Sequence, residues 1–328
     1  MTLIPGITYL ISLVFLLASS CSGDNVPEQT VLGTDSRRPV YLIAHRLLQN
    51  KAIPQALSDG ANAFEIDVAP SNGTWYAWHD DKFTPGDKPK DTIDELFDAV
   101  ATHRRDGKPI TFVWLDIKNP GDCSSAHKGC ITELQKMAQK KLVEAVGIRV
   151  LYGFDVDDAD SDAWMRVARS LSASEAVGVN ARAQEAIDIF SRGHNKALIP
   201  AHQRVMTFGF SFLSSPVVRE CHNDRRNWGK YAGVCYELSV AAKERDRAKP
   251  RRPRLGRVFG WTITAAEKDG EIADNLLGFA KADGLIYGEV LSEYRDSKSN
   301  RIAVEEMKKW LRKNSKTHRP ADNNDRPW

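Results

Sequence analysis

Four short stretches hold the side chains best suited to chemistry: Ala44-His45-Arg46, Glu65-Ile66-Asp67, Trp78-His79-Asp80 and Asp116-Ile117-Lys118. Glu65 and Asp67 stand two apart in an apolar run, and on an extended strand alternate residues share a face, so both carboxylates point the same way. Asp116 ends a second apolar run that begins at Ile110, and it can join the pair if the two strands are neighbours. Three hard oxygen donors with no softer ligand beside them suit one Mg²⁺ ion, which binds a few carboxylates and leaves room for phosphate oxygens and water. Without a cation the three acids would repel one another and raise one another's pKa. The alternative is a structural ion network in which Arg46 and Lys118 balance the acids.

Two histidines bracket this group. His45 and His79 each close a strand-like run where packing alone would favour an apolar residue. Displacement at phosphorus needs one group to accept a proton from the nucleophile and another to protonate the leaving oxygen. Imidazole does either near neutral pH. The pair is therefore the candidate acid/base couple, with the cation balancing charge on the phosphoryl oxygens and Lys118 adding a second positive contact to substrate. His103, His127, His194, His202, His222 and His318 fall in helix-like or loop stretches and read as surface or structural.

Short β-branched and aromatic runs alternate with helical patterns over most of the 328 residues, which argues a parallel α/β fold. Strands are expected at 39–45, 63–68, 110–117, 149–154, 176–180, 204–210, 257–264 and 284–287. Helix-like stretches at 54–59, 92–103, 131–146, 162–171, 183–191, 231–245, 271–282 and 300–314 each follow one of them or its loop. Eight such repeats make a (β/α)₈ TIM barrel, in which working residues stand at strand C-terminal ends. No Gly-x-Gly-x-x-Gly follows the first strand, as a dinucleotide-binding open sheet would require. Thr74 to His79 reads as an extra strand of a hairpin inserted in the second βα loop. Asp155 to Asp162 is acidic but lacks the spacing of a calcium loop and is expected to be solvated. Lys243 to Arg257 carries eight basic and two acidic residues; it is either a solvated connection or an attraction to an anionic lipid surface.

A formal charge of +3 is too small to argue for nucleic acid on electrostatic grounds. Ile7 to Ala18 is apolar or weakly polar and leads into small residues, so 1–23 reads as a secretory signal peptide, 24–38 as a polar lead, and 39–328 as the barrel. The expected localisation is secreted. Four cysteines follow the signal, and in an oxidising compartment they pair locally as Cys123-Cys130 and Cys221-Cys235. Asn72-Gly73-Thr74 is a glycosylation candidate at Asn72.

Together these motifs resemble glycerophosphodiesterase-like barrels, and more closely the sphingomyelinase D/phospholipase D family known from spider venoms, fungi and bacteria. The C-terminal run from Asp322 to Trp328 is similar to the plug that closes the far end of those barrels, so 320–328 is expected to be a tail segment of that kind. Phe259-Gly260-Trp261-Thr262 resembles the seventh-strand segment whose Trp lines the pocket. The resemblance implies His45 and His79 as acid and base, Glu65, Asp67 and Asp116 as ligands of one Mg²⁺, and Lys118 and Trp261 as substrate contacts. It implies cleavage of the head-group phosphodiester of sphingomyelin and lysophospholipids by a monomer working at a membrane surface, with a lipid hydroxyl attacking phosphorus to give a cyclic phosphate. Gly288 and Thr264 depart from the venom pattern, and the texture from Thr111 to Pro120 is closer to fungal members. Two other readings stay open: a glycerophosphodiester phosphodiesterase with a small soluble substrate, and a non-catalytic membrane-binding barrel.

Overall fold

The computed structural model describes residues 35–80, 91–121, 130–210, 221, 233–248, 252–264 and 271–328. The signal-like segment 1–23, most of the polar lead, and Cys123 lie outside the described residues. Among those described, no helix is long and apolar enough to cross a membrane.

Among the described residues ten strands form: β1 (Arg38–Ala44), β2 (Ala63–Ser71), β3 (Thr74–Ala77), β4 (Phe112–Ile117), β5 (Arg149–Asp155), β6 (Glu175–Asn180), β7 (Arg204–Gly209), β8 (Arg257–Ile263), β9 (Gly284–Tyr287) and β10 (His318–Pro320). Eight are parallel neighbours in the order β1-β2-β4-β5-β6-β7-β8-β9, and β9 pairs back with β1, which closes the barrel. The expected (β/α)₈ architecture is therefore present, with strand ends displaced by only a few residues. β3 is the added hairpin strand, antiparallel to β2 with Val68 opposite Ala77. Its turn is Asn72-Gly73, both at positive φ (48° and 77°), the conformation a tight hairpin demands. Asn72 is exposed there.

The strands are buried on both faces. Outward side chains such as Leu42, Phe64, Val113 and Val150 pack under the surrounding helices. Inward side chains from Tyr41, Phe112, Trp114, Leu151 and Phe259 fill the lumen. Two expected helices run on as π-helical turns: Ile131–Ala138 into Gln139–Glu144, and Glu271–Ala273 into Asp274–Phe279. The helix Ile93–Arg105 starts at a capping box in which Thr92 and Glu95 satisfy each other's backbone donors.

The tail closes the N-terminal end of the barrel. β10 lies parallel to the start of β1, and Asp325 takes both terminal nitrogens of Arg319 at 2.6 and 2.7 Å. Trp328 then inserts edge-on against Phe112, ring centroids 5.3 Å apart, in contact with the aromatic layer that Tyr41 and Phe259 complete. Its carbonyl accepts from Arg149 at 2.8 Å.

Candidate active site

Strand register does the first part of the assembly. β2 and β4 pair with Glu65 beside Trp114 and Asp67 beside Asp116, so the inward-facing acids of two strands fall on adjoining rungs. Oxygens of Glu65, Asp67 and Asp116 all lie within 4.8 Å of one another. Glu65 and Asp67 are buried at 3% and 2% exposure, while Asp116 is partly exposed.

Lys118 sits among these acids, its Nζ 2.6 Å from Asp116 and 3.2 Å from Asp67. Arg46 contributes a more distant charge, Nε to Asp67 3.9 Å. The structural ion network is thus present in part, and the question is whether two cations satisfy three carboxylates. They do not. Burial first, then Asp67 and Asp116, push the Glu65 carboxyl well above its ordinary range. Asp67 is also raised by burial, in spite of Lys118. Only Asp116 falls, because Lys118 outweighs the effect of its burial. Burial would lower the Lys118 ammonium, but Asp116 and Asp67 raise it above its usual value. Asp67 Oδ2 is buried and makes no hydrogen bond, an orphaned acceptor of a kind rare in folded proteins. A carboxylate trio of this composition, with an idle oxygen facing its neighbours, fits a hard divalent cation.

The histidines come from the neighbouring edges of the same mouth. His45 follows β1, and its Nδ1 lies 2.8 Å from the carbonyl oxygen of Glu289, on the loop after β9. Since a carbonyl only accepts, Nδ1 carries the hydrogen and Nε2 is left with its lone pair. Burial, with Arg46 next, pushes the His45 imidazole down to about 3, so it is held neutral. His79 follows the hairpin; its Nδ1 is 3.2 Å from Asp80 and its Nε2 accepts from the Arg46 guanidinium.

Arg46 ties these parts together through a left-handed backbone, φ 51°. That conformation directs its N–H onto Glu65 Oε2 at 2.6 Å, and its carbonyl accepts from Tyr294 at 2.9 Å. Gly288, also at positive φ, lies against His45: a Cβ there would sit 3.0 Å from His45 Cβ. The lack of a side chain at 288 therefore lets the backbone pass close behind His45.

These groups line one cavity of about 740 Å³, together with Trp114, Trp261, Asn180 and Thr207. Trp261, on β8, faces the lumen across from the acids and is partly exposed. Every residue expected to act on substrate or ion is brought to this mouth. Among the cysteines, Cys221 and Cys235 are joined by a disulfide; Cys130 is also disulfide-bonded, and its expected partner Cys123 is outside the described residues.

One expectation needs correction. The acidic stretch after β5 is not merely solvated: Asp155, Asp157 and Asp158 line the cavity, and Asp160 holds His194 and Asn195. The basic stretch 243–257 leads into the start of β8, which is the closed end of the barrel. Arg245 is buried on Asp283 at 2.6 Å, while Lys243, Arg252 and Arg254 are exposed, so the stretch is a solvated connection with one internal counter-charge, on the side away from the cavity. Sequence reasoning also missed the Glu289 carbonyl, since a backbone acceptor 244 positions from its histidine leaves no mark in side-chain pattern.

A closed parallel barrel whose acids and imidazoles converge at the strand C-terminal ends is an enzyme barrel of the TIM type. Residues 35–328 match the model of the sphingomyelinase D/phospholipase D family, and this chain belongs to that family. It is 37% identical to a sphingomyelinase D of Uncinocarpus reesii, over 89% of this chain and 78% of that protein. A second, from Aspergillus flavus, is 36% identical over 89% of this chain and 92% of the relative. Among solved structures the barrel is similar to a calcium-dependent phosphoinositol-specific phospholipase C from Pseudomonas, with TM-score 0.48 and 11% identity over 79% of this chain and 93% of that one. It is also similar to a glycerophosphodiester phosphodiesterase from Agrobacterium tumefaciens, with TM-score 0.42 and 13% identity over 81% and 99%.

Proposed function

We propose that this protein is a secreted, Mg²⁺-dependent phospholipase D of the sphingomyelinase D type, cleaving the head-group phosphodiester of sphingomyelin and lysophospholipids at a membrane surface. The observation that carries this reading is the convergence, in one cavity, of an unbalanced carboxylate trio and two imidazoles whose Nε2 atoms are both acceptors. Glu65, Asp67 and Asp116 hold the ion. It supplies positive charge to the phosphoryl oxygens.

The chain's own residues do the rest. His45, kept neutral with Nδ1–H on Glu289, takes the proton from a hydroxyl of the lipid as that oxygen bonds to phosphorus. Arg46 and Lys118 draw the phosphate in, and Trp261 covers it. Once Arg46 turns to the phosphate, Nε2 of His79 is free to carry a proton; Asp80 stabilises that imidazolium, which protonates the departing head-group oxygen. The products are the head-group alcohol and a cyclic phosphate. The signal 1–23, the lead 24–38 and a single barrel from 39 onward complete the proposed organisation, with the protein acting as a monomer.

Release of choline from sphingomyelin micelles tests the reading. Activity is expected with Mg²⁺, to vanish with chelator, and to be lost in His45→Ala and His79→Ala. Full turnover in either histidine variant overturns the mechanism. Equal or faster release from glycerophosphocholine favours the small-substrate phosphodiesterase instead.

A further inference from the structure

The proposed chemistry occupies the open mouth. A second cavity, of about 520 Å³, lies at the other end of the barrel, where β8, β9 and β1 begin. Its wall holds Arg38 and Tyr41 from β1, Arg257 from the start of β8, Asp283 from the residue before β9, and Arg245 and Asp246 from the end of the helix Val234–Arg245.

Charge here runs opposite to that in the mouth. Three guanidinium groups meet two carboxylates in this cavity, whereas six carboxylates meet two cationic side chains at the mouth. The excess is localised on one residue. Arg245 is taken up by Asp283 at 2.6 Å and by both oxygens of Asp246, and Arg38 by Asp283 at 3.0 Å and the Lys281 carbonyl at 2.7 Å. Arg257 pairs with no carboxylate among the described residues. Its terminal nitrogens donate to the backbone carbonyls of Gly256 at 3.0 Å and Arg326 at 3.2 Å, and its buried Nε makes no hydrogen bond.

Tyr41 supplies a second unmet donor on the same wall. Its ring is fixed edge-on against Phe112 and Phe259, with centroids 5.3 and 5.9 Å away, and the residue is 1% exposed. Burial raises the phenol well above its ordinary range in spite of Arg257, so the hydroxyl keeps its hydrogen. It too makes no hydrogen bond. Buried phenols and guanidinium nitrogens ordinarily find acceptors. Two donors left without one, beside a cation that lacks a counter-charge, suit an oxyanion with several acceptor atoms, and a phosphate group matches guanidinium geometry best.

We propose that this cavity is a second anion site, which binds a phosphate group, free or as a monoester, between Arg257 Nε and the Tyr41 hydroxyl. The site itself does not rest on the reading of the mouth. Only the expected source does: a mouth applied to a lipid surface turns this end toward water, so the ligand is a soluble phosphate.

The test titrates inorganic phosphate into the metal-free protein at constant ionic strength, followed by calorimetry, in wild type, Tyr41→Phe and Arg257→Gln. Tyr41→Phe keeps the ring packing and removes only the hydroxyl. Wild type is expected to bind phosphate with a component that weakens about tenfold in each variant, as loss of a hydrogen bond to a charged group predicts. Inhibition of choline release by phosphate reads the mouth and is expected to stay as in wild type. A second arm measures retention of the metal-free protein on phosphatidylcholine vesicles with and without phosphatidate. Retention that needs phosphatidate and the Tyr41 hydroxyl supports the same site with a lipid-borne phosphate. Binding of neither probe by wild type, or binding that both variants leave unchanged, overturns the site. Inhibition that weakens in step with binding also overturns it, since the effect then lies at the mouth. Absence of choline release in wild type breaks the phosphodiesterase reading, while variant-sensitive phosphate binding in the same protein still supports this site.

Discussion

Each end of the barrel buries charge, and the two ends treat it in opposite ways. At the closed end Asp283 accepts from Arg245 at 2.6 Å, from Arg38 at 3.0 Å and from the Val258 N–H at 2.9 Å. Burial alone would raise its carboxyl, but Arg245, Arg257 and Arg38 hold it below the ordinary range. At the open end burial and mutual repulsion win, Glu65 and Asp67 are raised, and Asp67 Oδ2 is left without a hydrogen bond. The same residue types thus serve stability where every oxygen is met, and are poised for a cation where one is not. A fold tolerates the second arrangement because the first, with the aromatic plug, supplies the margin.

The sharpest way to break this contrast is at the open end. His45→Ala is expected to lower head-group release by about 10²- to 10⁴-fold, the usual worth of a positioned proton-transfer group, with the urea midpoint little changed. At the closed end Asp283→Asn takes the buried counter-charge from Arg245, leaving it Asp246 and the Lys281 carbonyl, and is expected to cost about 3 kcal/mol in urea unfolding. Because the Asp283 carboxyl is depressed, its contribution is present above the ordinary value of 3.8 and is lost as pH falls through the folded value. Wild type should therefore lose stability on the acid side more steeply than the variant. Trp328→Ala, which empties the plug against Phe112, is expected to cost about 3 kcal/mol. The smallest effect has the opposite sign. Glu65→Gln, which keeps an acceptor for the Arg46 N–H, should stabilise the metal-free protein by on the order of 1 kcal/mol while abolishing turnover.

Much of the open end was legible in the sequence because strand periodicity is strict. Glu65 and Asp67 share a face by spacing alone, and the Ile110 to Asp116 run needed only to be a neighbour. The β-branched and aromatic runs located all eight barrel strands. What escaped depends on groups that carry no side-chain signature or on distances through space. The Glu289 carbonyl that sets the His45 tautomer is one such group. The left-handed backbone of Arg46 is another, since an arginine gives no hint of positive φ. The acidic stretch at Asp155 read as a loop because nothing local shows that β5 delivers it to the cavity. Arg245 read as a surface residue because its buried partner, Asp283, lies on another element.

The claim that the open end is a cation site answers to one measurement: thermal unfolding of wild type and Asp67→Asn as Mg²⁺ is titrated into metal-free protein. Binding to the native state alone raises stability with ion concentration, so wild type should shift upward saturably and Asp67→Asn should not. Equal shifts in both proteins, or none in wild type, would contradict it.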